Sequence, residues 1–469
     1  MTLFADLTQG VNAVRPGRTT MRQYDMLLLA SAAALLAFGI LMVYSASIAL
    51  ADGPRFGSVG RYFFAGRHSL FMIVGLAFGF LVWMTPLTAV QKLTLPLFGL
   101  AVLLLLLVLT PVIGHEVNGA SRWIRLGPFN FQPSELMKVV AVLYAADYVV
   151  RKQHQMHSFI NGFLPMALAM GVVGTLLLLE PDLGALIVIM AIAMGILFLG
   201  GINGKVFSGL VFMLVSLFFA LIWLSPWRRA RLFAYLDPWN PENMYGSAYQ
   251  LSQSLIAVGR GEWFGVGLGS SIEKLHYLPE AHTDFIISVV GEELGFIGIA
   301  LVVGLFAILI SRAFEIGRQA IAMDRVFSGL VAQGVGIWFG VQTFINIGVC
   351  LGLLPTKGLT MPLISYGGSG LVMNIVAIAL VARVDFENRV LMRGGEYEAH
   401  SDDLGDGGWY RGAHRAWAGC GRSPARPRLQ RSLAGQSGPY GRSSCSTCRI
   451  RDGCNAICRC TRQGSVPAD

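Results

Sequence analysis

Charge is what this 469-residue sequence has least of. Asp, Glu, Lys and Arg make up 13% of it and hydrophobic residues 54%, whereas an ordinary soluble domain carries about 25% charged residues. With a mean hydropathy of +0.59, the composition excludes a soluble enzyme and, over most of the chain, a disordered one. Cysteine is scarce too: there are seven, too few for a disulfide-stapled secreted scaffold. No Walker-type phosphate loop is present, so no nucleotide cofactor is indicated. Energy for any chemistry or transport has to come from the substrate or an ion gradient. What remains is a polytopic membrane protein.

The scarce charges and cysteines are unevenly placed. From Ser401 to Asp469 the chain holds eleven Arg, no Lys and five Asp, a net of +6, so about +3 of the overall +9 belongs to the first 400 residues. Six cysteines (Cys420, Cys445, Cys448, Cys454, Cys458 and Cys460) lie in the same tail, which leaves Cys350 alone in the apolar part. Rich in Arg, Gly, Ser and Pro, the tail has too little apolar surface for a core. Its cysteine pairs suggest zinc, but no orderly second pair or His accompanies them. Arg without Lys, together with abundant Cys, has the look of a GC-rich gene read in a shifted frame. The expected organisation is a cytoplasmic segment (1–25), a membrane domain (26–393) and a disordered cytoplasmic tail (394–469).

Ten apolar runs are long enough to cross a hydrocarbon core of about 30 Å as helix: about 26–49, 69–85, 93–113, 134–150, 161–179, 183–200, 206–225, 285–311, 326–352 and 360–383. The expected fold is therefore all-α, with ten spans and a large extracytoplasmic loop between spans seven and eight. Glu180-Pro181-Asp182 is a tight turn between spans five and six, with Asp182 placed to cap the sixth. In the short loops and terminal segments, thirteen Lys and Arg fall on one side of the membrane and six on the other. Positive charge stays inside, so both termini are expected in the cytoplasm. The first run is too long for a cleavable signal peptide, and no cleavage site follows it. The loops at about 114–132, 226–284 and 353–359 then face outwards, and they are the segments richest in polar, aromatic and glycine residues.

Residues able to carry chemistry gather in those loops and the adjoining span ends. Pro133 suits the first turn of a helix, and Glu135 and Lys138 stand at i and i+3, neighbours on one face at the membrane edge. A local ion pair explains them in part, but ionisable groups at this depth usually face a cavity or a partner. Trp123, between Arg122 and Arg125, reads by itself as an interfacial anchor. Asp284 lies where the long loop meets span eight, with Glu280 and His282 just before it. Glu292 and Glu293 come about 12 Å deeper at 1.5 Å per residue. A helix cap is one reading of Asp284; the other is a base, because partial desolvation raises a carboxylate's affinity for a proton. Partnership with buried cations is the plainer reading of Glu292 and Glu293. Lys357 is a lone cation in an apolar hairpin whose glycines permit a broken or re-entrant helix; a snorkelling Lys is its plainer reading. Gln250 to Gly269 mimics a phosphate loop without the required strand, so an amphipathic surface helix followed by a turn is favoured.

Several stretches, in order, carry a resemblance: Tyr44-Ser-Ala-Ser47, Asn118-Gly-Ala-Ser-Arg-Trp123, Gln132-Pro-Ser-Glu-Leu-Met-Lys138, Glu180-Pro-Asp-Leu-Gly184, Gln250 to Gly269, Pro279 to Phe285, Gly291-Glu-Glu-Leu-Gly295 and Pro362 to Gly368. Together they resemble the SEDS family (shape, elongation, division and sporulation) of membrane glycosyltransferases from about Asp25 to Arg393. Pro355-Thr-Lys-Gly-Leu-Thr360 resembles the cell-division branch. Gly370, where a Ser is common, and Arg260, where a small residue is common, depart from the family pattern.

The resemblance implies polymerisation of lipid II into glycan strands outside the bacterial inner membrane, at the division septum. The family's essential loop aspartate maps onto Asp284, its functional Glu and Lys onto Glu135 and Lys138, and its loop tryptophan onto Trp123. A class B penicillin-binding protein and other division proteins are the implied partners; nucleic acid is not. On this reading Asp284 is the base for the acceptor hydroxyl. Lys138, Lys357, Arg122, Arg125 or a divalent cation (magnesium or manganese) neutralises the pyrophosphate, Glu135 orients Lys138 or binds the metal, and His282 contacts substrate. The rival reading, a lipid II flippase, also suits ten spans and a broken helix, but its residues should gather near the midplane. A non-catalytic scaffold would tolerate the loss of Asp284.

Overall fold

The computed structural model describes residues 24–52, 60, 62–111, 113–117, 120–127, 129–156, 158–356 and 358–393. Lys357, the first 23 residues and the tail from 394, with its cysteines, lie outside the described residues.

Each of the ten apolar runs is helical: α1 Met26–Ser47, α2 Phe63–Met84, α3 Leu87–Val108, α4 Pro133–Lys152, α5 Leu164–Leu179, α6 Leu183–Leu199, α7 Gly204–Trp223 and, after the long loop, α11 Ile286–Ala322, α12 Val326–Cys350 and α13 Gly368–Met392. The long loop contributes α8 Pro226–Leu236, α9 Pro241–Met244 and α10 Tyr249–Gly261. Local chemistry marks the helix starts. Asp25 accepts from the Leu28 amide at the head of α1, Pro133 occupies the first turn of α4, and Asp182 accepts from the Ala185 amide at the head of α6.

Seven of these helices are long and apolar enough to cross a membrane: α1, α2, α3, α5 with its preceding turn, α11, α12 and α13. Of the other three expected spans, α4 is diluted by Glu135, Lys138, Asp147, Arg151 and Lys152. The apolar α6 and the described part of α7 (Gly204–Ser216) are shorter. Boundaries also move. α13 begins at Gly368 rather than near 360, because the preceding stretch, with Pro355, Pro362 and Gly367, lays its backbone against the loop before α11. α11 runs eleven residues past its expected end, through Arg312, Glu315 and Arg318.

α12 is the central pillar, packed against α11, α4, α6 and α13; α2 lies along α13, and α1 along α11. α4 is buried along most of its length, as are α12 and α13, whereas α2 and α3 keep most of their surface outward. Such outward apolar surface is stable facing acyl chains and not facing water. Far from the long loop, buried ion pairs tie the bundle: Arg312 and Arg389 converge on Asp25, Arg389 also holds Asp385, and Arg325 and Arg383 converge on Glu387. The loop between α3 and α4 is a small antiparallel sheet in the order β1 (Gly114–Val117), β2 (Ala120–Leu126), β3 (Phe129–Phe131), with Arg125 opposite Asn130. Its central strand carries Arg122 and Trp123.

Candidate functional site

The starts of α2, α4, α6 and α13, the strand β2 and the segment before α11 converge on a cavity of about 770 Å³. Helix starts bring uncompensated backbone N–H groups to one place, an environment that favours anions.

Asp284 lies in the wall of this cavity, half-buried, and is held by its backbone. Its carbonyl accepts from Asn346 Nδ2 at 2.8 Å, and the same amide donates to the Leu359 carbonyl at 2.6 Å, so one side chain from α12 joins the two loops. Two more ties follow: the Tyr366 amide donates to the His282 carbonyl at 3.0 Å, and Ser365 Oγ donates to the Thr283 carbonyl at 2.5 Å. The stretches 279–285 and 354–370 therefore form one frame. Gly358 is part of its fit, since a Cβ there would stand 2.9 Å from Asp284 Oδ2. Phe285, not Asp284, occupies the cap position of α11, and no side chain caps that helix; the Asp284 carboxylate is thus not spent on a helix end.

Burial pushes the Asp284 carboxyl up to about 7, reinforced by the nearby negative charges of Glu280 and Asp182 and opposed by Arg122. That is the range in which a base both exists ionised and binds a proton well at neutral pH. His282 is lowered by burial and stays neutral; its ring stands 5.4 Å from Phe64 and 5.5 Å from Tyr366 in an aromatic wall. Glu180 is fully buried behind the turn and raised to about 8 by burial and by Asp182.

The other expected residues divide. Arg122 and Trp123 line the cavity, and Arg122 donates to the carbonyls of Glu180 and Pro181, which seats it against the α5–α6 turn. Arg125, one position past a strand neighbour, is exposed and does not line it. Glu135 lines the cavity, and Lys138 pairs with it at 2.8 Å. Lys138 itself has no exposed surface. Its Nζ donates to Gln342 Oε1 at 3.1 Å and lies 5.2 Å from the centre of the Trp338 ring, while Gln342 Nε2 donates to the Thr360 carbonyl at 2.7 Å. Lys138 therefore stands behind Glu135 as a buried counter-charge. Thr356 and Gly358, on either side of Lys357, line the cavity.

Sequence reasoning missed Arg67, Asp182 and Gln132 as cavity residues. Arg67 lies on the first turns of α2, and its guanidinium stands 5.7 Å from the Phe71 ring centre. Asp182 accepts from Gln132 Nε2 and Ser134 Oγ, both at 3.1 Å, which locks the start of α6 to the start of α4. Two glycines could have signalled this meeting, because Gly184 and Gly370 pack without side chains against Leu359 and Glu135. Among the described residues, no group of three or more His, Cys, Asp and Glu side chains could hold a metal ion. Mg²⁺ is commonly held by one or two carboxylates plus substrate phosphates, so an ion here would be shared with substrate.

A family model described as "Cell cycle protein", covering FtsW, RodA and SpoVE, matches residues 25–390. A protein of Burkholderia thailandensis called "Probable peptidoglycan glycosyltransferase FtsW" is 58% identical over 390 residues, 83% of this chain and 84% of that one. A protein of Polynucleobacter necessarius with the same description is 53% identical over 390 residues, 83% of this chain and 92% of that one. Among solved structures, a chain from "Structural coordination of polymerization and crosslinking by a peptidoglycan synthase complex" superposes with a TM-score of 0.65 at 30% identity, over 78% of this chain and 98% of that one. The rod shape determining protein RodA of Thermus thermophilus gives a TM-score of 0.57 at 30% identity, over 79% and 98%.

Proposed function

This chain belongs to the FtsW, RodA and SpoVE family of cell cycle proteins, and we propose that its cavity joins lipid-linked sugars with Asp284 as the base. It is a multi-pass membrane protein and a peptidoglycan glycosyltransferase; on the reading proposed, it polymerises lipid II in septal cell-wall synthesis.

The observation that carries the assignment is Asp284: its carboxylate half-buried in the cavity wall with its proton affinity raised to about 7, and its backbone fixed by an α12 amide and the two loops. An Asp284 oxygen takes the proton of the acceptor sugar hydroxyl while that hydroxyl oxygen attacks the anomeric carbon of the donor. The bond from that carbon to the diphosphate breaks, its electron pair leaves on the diphosphate, and direct displacement inverts the anomeric centre. Arg67 and Arg122 line the cavity and stabilise the departing negative charge, with Lys357 between two lining residues. Glu135, paired with Lys138, presents acceptor oxygens to sugar hydroxyls, while Trp123 and His282 supply apolar and aromatic surface to the sugar faces.

On this reading all ten apolar helices span the membrane, both termini lie in the cytoplasm and the cavity opens at the outer face, where the septum is built. The polyprenyl tail lies along the outward apolar face of α2. The relation to a peptidoglycan synthase complex supports a penicillin-binding protein as partner. The test is to incubate the purified chain and its partner with labelled lipid II, as wild type and as Asp284→Ala. Polymer from the wild type alone is expected; polymer from both, or from neither, refutes the assignment.

A further inference from the structure

α11 is interrupted at Gly295, whose φ of 66° and ψ of −162° break the helix, and the Gly-rich stretch after α10 fills the break. Val266 N donates to the Glu292 carbonyl at 2.9 Å and Gly267 N to the Glu293 carbonyl at 3.0 Å; Phe296 N donates to the Glu262 carbonyl at 2.9 Å and Ile297 N to the Trp263 carbonyl at 3.2 Å. Only glycine fits here, since a Cβ on Gly265 would stand 2.2 Å from the Glu293 carbonyl oxygen. The two carboxylates beside the break are satisfied by the same loop. Glu292 accepts from Arg260 at 3.0 Å and from the Ile272 amide at 2.9 Å, and Glu293 pairs with Lys274 at 2.6 Å and accepts from Ser45 of α1. The inner side of this loop is thus fully spent on α11.

Its outer side is apolar and bare. Trp263, Phe264 and Leu268 are 65%, 81% and 54% exposed, and the Trp263 ring packs edge-on 5.2 Å from Phe296, itself largely exposed. The patch continues into exposed Ile297 and Leu301 on α11, the face the membrane reading gives to lipid. Its height follows from α1 and α11, which are pinned at one end by Asp25–Arg312 and at the other by Ser45–Glu293. The α1 stretch between Asp25 and Ser45, an uninterrupted helix pinned at the same two ends, is about 30 Å long at 1.5 Å per residue, which matches a hydrocarbon core of about 30 Å. Glu293 and Phe296 therefore mark the membrane boundary at the cavity end, the level where aromatic side chains are favoured.

We propose that the turn Glu262–Leu268 is a lipid anchor: Trp263, Phe264 and Leu268 seat in the headgroup–acyl boundary of the leaflet at the cavity end, and the loop's ties to α11 thereby fix the height of Asp284 over the bilayer. This rests on the membrane reading above. It is tested with the full chain in phosphatidylglycerol–phosphatidylethanolamine vesicles, labelled with an environment-sensitive fluorophore at Phe264→Cys, Leu268→Cys or, as a water-exposed control, Glu242→Cys, the native cysteines being replaced. Lipids spin-labelled near the headgroup should quench positions 264 and 268 several-fold more than 242, and aqueous iodide several-fold less. Iodide quenching at 264 and 268 equal to that at 242 overturns the anchor, as does shielding that appears only when a protein partner is added. Lipid II polymerisation by the same labelled proteins separates the outcomes, since polymer made by a chain whose turn lies in water removes the anchor and leaves the enzymatic reading standing.

Discussion

Replacing Lys138 by Met keeps the length and bulk of the side chain and removes its charge. Lys138 is wholly buried, its Nζ 2.8 Å from a Glu135 carboxylate that is only 11% exposed, so the substitution strands an ionised group with little water to solvate it. Breaking such a pair from one side costs about 3–5 kcal/mol. Glu135→Gln alone leaves the ammonium with Gln342 and the Trp338 ring and costs a similar amount. The double variant removes both charges and should be less destabilised than either single one, a coupling of about 2–3 kcal/mol. The assay is unfolding of the detergent-solubilised full chain by sodium dodecyl sulfate titration, for the wild type, both single variants and the double. Effects that add to within about 0.5 kcal/mol would refute the view that Lys138 serves as a buried counter-charge to Glu135.

Gly358→Ala forces the Asp284 carboxylate to move, because the new methyl would lie 2.9 Å from Oδ2; kcat for lipid II polymerisation should fall about tenfold to a hundredfold with the unfolding midpoint unchanged. Arg67→Gln removes a charge-assisted contact to the diphosphate worth about 1.5–3 kcal/mol, so kcat/KM should drop about 10- to 150-fold, with partial rescue by Arg67→Lys; a value within twofold of wild type ends that role. Glu180 has its folded-state affinity raised from 4.5 to about 8, so between those values the unfolded chain has lost a proton that the folded chain keeps, and stability falls as pH rises. Glu180→Gln should therefore gain thermal stability over wild type between pH 5 and pH 8, and an equal difference at both ends would contradict the burial of an acid there.

The helices were legible because a hydrocarbon-spanning helix needs a long apolar run, and every such run is helical here. Local pairs were legible too: Glu135 with Lys138 is an i, i+3 contact, and Asp182 caps the helix it precedes. Glu292 and Glu293 have cationic partners, the exposed Arg260 and the buried Lys274, but which ones depended on a loop doubling back onto a helix break. Period and composition do not encode that return. For the same reason Arg67 escaped notice: its place in the cavity depends on α2 lying along α13, a packing fact without local signature. Depth was also illegible for Lys138, since a lysine at a span edge reads equally as cavity-facing or hidden. Only the position of Gln342 and Trp338, some two hundred residues on, decides it.

The most direct test of Asp284 as the base is the pH dependence of single-turnover lipid II polymerisation by the full chain with its partner. Because the carboxyl sits at about 7, the rate should be level above that pH and fall about tenfold per unit below it, leaving about 1% at pH 5. Glu280→Gln, which removes a neighbouring negative charge, should move the fall to lower pH, and Asp284→Asn should be inactive throughout. A rate that stays level from pH 5 to pH 9, or one that Asp284→Asn leaves intact, would contradict the assignment.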